Sequence, residues 1–93
     1  MQTTEIAFEI DREKVKRILA RFALPDEIER LETKYGEDHT GDSSVFLTFY
    51  VKDDAKIGPE DVKRLSTFLA AITSALLNEG IGGFAYTRLE QAA

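Results

Sequence analysis

Between Val45 and Val51 the chain reads Val-Phe-Leu-Thr-Phe-Tyr-Val, and no other segment limits the fold as strongly. Successive side chains of a strand point to opposite faces, so Val45, Leu47, Phe49 and Val51 share one face and Phe46, Thr48 and Tyr50 the other. Both sets are largely apolar. That pattern predicts a central strand, buried on one side and at least partly covered on the other. A central strand needs a neighbour. Upstream, Ile28, Leu31 and Tyr35 stand at helical steps, whereas Thr33, Tyr35 and the following Gly36 suit a strand entering a turn. The strand reading is preferred over 28–35, because Gly36 to Ser43 then serves as a hairpin connection.

Two helices flank this hairpin. The second opens at Gly58-Pro59-Glu60-Asp61, with proline in the first helical position and acids in the first turn, where the helix dipole favours them. Val62, Leu65, Phe68, Leu69, Ile72 and Leu76 form its apolar stripe, and Gly80 is a left-handed stop. The first helix begins after the N-cap Asp11, carries Val15, Ile18, Leu19 and Phe22 on one face, and is expected to end at Leu24-Pro25. A last strand is expected from Phe84 to Leu89, entered through Gly82-Gly83. Ile6, Phe8 and Ile10 alternate with Ala7 and Glu9, which suits a first strand or a backward extension of the helix. The expected fold is α+β: an antiparallel sheet of three or four strands with two helices on one face. Its order is βαββαβ, as in a ferredoxin-like domain, or αββαβ if residues 3–10 are not a strand.

Ninety-three residues suffice for one domain, and 43% apolar with 31% charged residues is the balance of a soluble globular chain. No cysteine is present, which excludes disulfides and thiolate chemistry and suits a reducing cytoplasm. The opening MQTTEIAFEI has neither the basic nor the apolar segment of a signal peptide, and no apolar run is long enough for a membrane span. A cytoplasmic protein without membrane contact is the expectation. A net charge of −5 argues against general nucleic-acid binding, which needs a basic surface. Charge is nevertheless segregated: Arg12, Lys14, Lys16, Arg17 and Arg21 crowd the first helix, and acids crowd 26–54. Two solvated faces account for this more simply than mutual complementarity.

The acidic turn Gly36-Glu37-Asp38-His39-Thr40-Gly41-Asp42 holds the only histidine and is the one concentration of reactive groups. Its near-P-loop spelling fails, since Asp42 stands where a phosphate-neutralising lysine belongs and the loop leads into a strand. Gly80-Ile81-Gly82-Gly83 fails as a dinucleotide fingerprint, because it follows a helix and precedes a strand. Ser43 or Ser44 with His39 and an aspartate has the residue types of a nucleophilic triad, but such members come from separate elements. Asp38, His39 and Asp42 remain as candidate ligands for a hard divalent cation, with Glu37 beside them and Asp53-Asp54 at the far end of the strand. Acids and glycine in a turn have a plainer role, capping backbone NH groups and supplying positive φ. No catalytic residue and no cofactor are expected. The aromatic set Tyr35, Phe46, Tyr50, Phe84 and Tyr86 is the more pointed feature. Aromatics on a sheet can stack bases, but few basic residues accompany these. Two helices cover only one side of a sheet, so these five residues are expected to line an interface, with a second copy or another protein.

The run IERLETKYGEDHTGDSSVFLTFYVKDD resembles a group of small, mostly uncharacterised bacterial proteins. Their shared feature is a strand, an acidic GEDxxGD turn and a second, apolar strand. The matching positions are Gly36, Glu37, Asp38, Gly41, Asp42, Val45, Leu47, Phe49, Val51, Asp53 and Asp54. Some of that group are paired with HEPN-type or nucleotidyltransferase-type toxin–antitoxin-like partners, and the resemblance implies an antitoxin-like interaction role without a mechanism. It also favours the strand over 28–35. The chain departs from the group at Ser43, where proline is usual, and in the additional TTEIAFEI before the first helix. The expectation overall is a small non-enzymatic dimerisation or protein-binding module, the alternative being a divalent-metal protein using residues 36–42.

Overall fold

In the computed structural model, which describes residues 10–53 and 55–92, the apolar run lies in the middle strand of a three-stranded sheet. Helix α1 (Arg12–Leu19) is followed by β1 (Ile28–Glu37), β2 (Ser43–Val51), α2 (Pro59–Glu79) and β3 (Phe84–Gln91), with strand order β1-β2-β3. Val45, Leu47, Phe49 and Val51 face the helices and are buried with Val15 and Ile18 of α1 and Leu65, Ile72 and Leu76 of α2. Phe49 packs edge-on against Phe68, 5.5 Å between ring centroids, and Phe22 meets the same ring at 6.3 Å.

The sheet is mixed, not antiparallel throughout. β1 and β2 pair antiparallel through the short turn, but β2 and β3 pair parallel, from Ser44 opposite Phe84 to Val51 opposite Gln91. Helix length explains this. The 21 residues of α2 rise about 31 Å, close to the roughly 30 Å covered by the nine residues of β2. The helix therefore carries the chain back to the end at which β2 began, and β3 runs the same way. A ferredoxin-like order would insert a strand between the two strands that flank a helix. Here those strands bond directly to one another, so that slot is closed, and the described elements follow the αββαβ order instead. The expected first strand lies outside the described residues except for Ile10, which is buried and in no strand.

α2 matches its expected limits, with Gly80 in the left-handed region at φ 70° and the Asp61 carboxylate accepting from the Gly58 backbone N–H at 2.9 Å. Val62, expected in its apolar stripe, is exposed, and the buried residues of α2 begin one turn later at Leu65. α1 is shorter than expected. After Leu19 the chain tightens into i→i−3 bonds, Arg21 N–H to Ile18 and Phe22 N–H to Leu19, which turns Phe22 toward Phe68. Two basic residues of this segment, Lys14 and Arg21, reach the end of α2. Lys14 Nζ donates to the Glu79 and Gly80 carbonyls at 3.1 and 3.2 Å, at the negative end of the α2 dipole. Arg21 forms a bidentate pair with Glu79, and Arg64 ties α2 to Glu27 ahead of β1.

The start of β3 is held close to its neighbours by Gly83. A β-carbon there would lie 2.3 Å from the Ser43 carbonyl oxygen and 3.0 Å from the Ile10 side chain. Gly83→Ala is expected to cost about 2 kcal/mol or more, because a backbone carbonyl of a paired strand cannot move aside. Gly36→Ala, whose β-carbon meets open space, is expected to stay within about 0.5 kcal/mol of wild type. Urea denaturation of both variants measures the difference.

Candidate functional site

The strand alternation that buries one face of β2 presents Phe46, Thr48 and Tyr50 on the other, away from both helices. The registers extend this face into four rows across the sheet. Gly36, Ser44 and Phe84 form the first row, and Lys34, Phe46 and Tyr86 the second. Glu32, Thr48 and Arg88 form the third, and Arg30, Tyr50 and Glu90 the fourth. Phe84 and Tyr86 are 48% and 40% exposed, unusually open for rings on a sheet. Tyr86 stacks on Phe46, centroids 5.5 Å apart and planes 14° from parallel. The Arg30 guanidinium lies 3.9 Å from the centre of the Tyr50 ring, and the Tyr50 hydroxyl donates to Glu32 at 3.1 Å, which holds the phenol proton above its usual pKa. Arg88 and Glu90 form an exposed ion pair at 3.3 Å. Among the described residues the face is thus a central strip of aromatic and hydroxyl side chains between two flanking strands that carry charge of both signs.

Four of the five aromatic residues expected at an interface, Phe46, Tyr50, Phe84 and Tyr86, share this face. Tyr35 does not. It pairs with Val45 and points to the helix side, where the Arg12 guanidinium covers its ring at 4.3 Å. Tyr35 is odd-numbered and so has the parity of the core positions opposite it, a consequence of hairpin register that composition alone does not reveal. Arg30, Glu32, Arg88 and Glu90 are not singled out by sequence. Their signal is the period-two continuation from Phe84 and Tyr86, and its counterpart in β1.

The acidic turn is organised around Asp38. Its Oδ1 accepts from the Thr40 and Asp42 backbone N–H groups at 2.9 and 3.0 Å and lies 2.7 Å from the Thr40 hydroxyl. Its Oδ2 accepts from the Tyr86 hydroxyl at 2.7 Å and lies 3.3 Å from Ser44 Oγ. Each hydroxyl has one proton to share: Thr40 Oγ1 is also 2.8 Å from Asp42 Oδ2, and Ser44 Oγ is 3.0 Å from the Asp42 carbonyl. The Asp38 N–H donates to the Asp42 carbonyl at 2.9 Å, and Gly41, at φ 84°, closes the turn. Donors aimed at the charged carboxylate, Tyr86 first and Thr40 second, hold the Asp38 pKa well below the ordinary carboxylate value, and the same bond raises that of Tyr86.

Of the three candidate metal ligands, Asp38 has both oxygens engaged by the turn and by β3, Asp42 shares the Thr40 hydroxyl, and His39 is exposed beside them. Among the described residues no group of three or more histidine, aspartate or glutamate side chains is placed to hold a metal ion, and Asp54 lies outside them. Ser44 is buried and spends its hydroxyl within the turn. Among the described residues no buried side-chain nitrogen or oxygen lacks a hydrogen-bond partner. No helix of the described residues is long and apolar enough to cross a membrane. No protein-family model, curated protein or solved structure matches this chain.

Asp38 makes the turn sensitive to acid. Its folded pKa lies below its unfolded value, so its contribution is complete above the ordinary carboxylate pKa of 3.8 and is lost as pH falls below it. Asp38→Asn is expected to lower the thermal midpoint at neutral pH and to flatten the acid limb of stability relative to wild type. Tyr86→Phe is expected to reproduce part of both effects. Melting curves followed by circular dichroism from about pH 2 to pH 7 check this, and parallel acid limbs in wild type and Asp38→Asn would contradict it.

Proposed function

We propose that the protein is a small, non-enzymatic interaction module of the cytosol, which binds a protein surface through the open face of its sheet. The observation that carries this reading is the pair of exposed rings, Phe84 and Tyr86, continuing the half-buried Phe46 and Tyr50 on the side of the sheet that neither helix of the described residues covers. Exposed aromatic rings rimmed by charge have the composition of interface cores, where Tyr and Phe supply large contact area at small cost in side-chain entropy. The turn contributes by fixing the face. Asp38 anchors the Tyr86 hydroxyl, Glu32 anchors that of Tyr50, and Arg30 lies on the Tyr50 ring, so the aromatic surface is set before a partner arrives.

The reading is tested by light scattering after size-exclusion chromatography, with Phe46→Glu and Tyr50→Glu as the perturbation. Wild type is expected to show mass above the monomer, or solubility limited by the face. The double variant is expected to be monomeric and more soluble, with its circular dichroism retained. A wild-type monomer whose solubility and melting the two substitutions leave unchanged would sink the proposal.

A further inference from the structure

We infer that the occupant of the open face is a second copy of this chain, packed sheet to sheet about a two-fold axis parallel to β2. The inference rests on the reading of that face as an interface and adds its partner and its arrangement. Such an axis keeps each row at its own level and exchanges left for right, so β1 of one copy lies over β3 of the other.

Charge and shape are self-complementary under that operation. In the third row Glu32 meets Arg88 of the other copy, and Arg88 meets its Glu32. In the fourth, Arg30 meets Glu90 twice over. In the second, Lys34 reaches the face of Tyr86, a favourable cation–π geometry. In the first, Phe84 lies over Gly36, where a side chain would have open space in the single copy and none is present. Down the axis itself Phe46 and Tyr50 meet their own equivalents on either side of the recessed, buried Thr48, which places the aromatic strip at the centre and the charges at the rim. Sheets aligned within about 30° keep these rows in register.

The alternative two-fold, across the strands and centred on the third row, sets Glu32 on Glu32, Arg88 on Arg88 and Arg30 on Lys34. Like charges in contact oppose it. Sliding that axis half a row toward the fourth row restores opposite charges but leaves Phe46, Tyr86 and Phe84 overhanging. Sliding it toward the second pairs Lys34 with Glu32 but sets Arg30 on Gly36 and Glu90 on Phe84, so two charges of each copy meet no opposite charge across the interface. The footprint of three strands and four rows is roughly 400 Å², below the ~800 Å² per partner of a standard interface. The dimer is therefore weak and concentration-dependent.

Sedimentation velocity over about 1 to 300 µM reads the arrangement through a charge swap. Wild type is expected to pass from monomer to dimer across that range. Glu32→Arg and Arg88→Glu each place like charges together twice, and each is expected to weaken dimerisation roughly tenfold or more. An equimolar mixture of the two variants is expected to restore it. Only the heterodimer sets the two substituted side chains, of opposite sign, against each other while the untouched Arg88 of one copy meets the untouched Glu32 of the other. Gly36→Val, which meets open space in the single copy, is expected to melt like wild type while losing the dimer under Phe84. A wild-type dimer that ignores the charge changes, or a mixture no better than its components, would overturn this arrangement and leave the interface reading standing. A wild-type monomer at every concentration overturns the second copy as occupant, and the effect of Phe46→Glu and Tyr50→Glu on solubility then decides the interface reading separately.

Discussion

The structure depends on one strand being paired along both edges. β2 bonds to β1 on one side and β3 on the other, and this fixes the direction of every side chain it carries. A shift of one residue would expose Val45, Leu47 and Phe49 and bury Phe46 and Tyr50 among the helices. The core and the open face are therefore a single decision about register. The hairpin turn, with Asp38 at its centre, and the close passage of Gly83 past Ser43 hold that register at the end where all three strands meet.

The acidic turn changes meaning in this setting. As a string of letters it gathers acids and the only histidine, which invites catalytic or metal chemistry. In the fold its most connected acid is a hub for local donors, and the bond from Tyr86 joins the turn to a strand 48 residues away in sequence. A carboxylate so engaged is stabilised as an anion and positions a ring. The chemistry concentrated in the turn serves the geometry of the neighbouring face.

Much of this is legible in the sequence. The central strand, the hairpin, both limits of α2 and the terminal strand follow from alternation, from Gly58-Pro59 and from Gly80. The parallel pairing of β3 overturns the antiparallel sheet expected from the order of elements; its cause is a helix about as long as the strand before it, which returns the chain to its starting end. Other features are not legible. The early end of α1 depends on Phe22 turning to meet Phe68, a tertiary contact that overrides the local signal of Leu24-Pro25. Tyr35 lies on the helix side, apart from the other four rings, because hairpin register and not composition sets its parity. The charged rows, Glu32 with Arg88 and Arg30 with Glu90, emerge only when two registers are combined across the sheet.

The central claim is that the open face meets its own copy with β1 over β3. An isotope-filtered nuclear Overhauser experiment on a mixture of labelled and unlabelled protein tests it most directly, because it reports only contacts between copies. The account predicts contacts from the Phe84 ring to the Gly36 α-protons and from the Lys34 side chain to the Tyr86 ring. Contacts confined instead to exposed helix residues such as Val62 and Leu77, or none at concentrations where the dimer is populated, would contradict it.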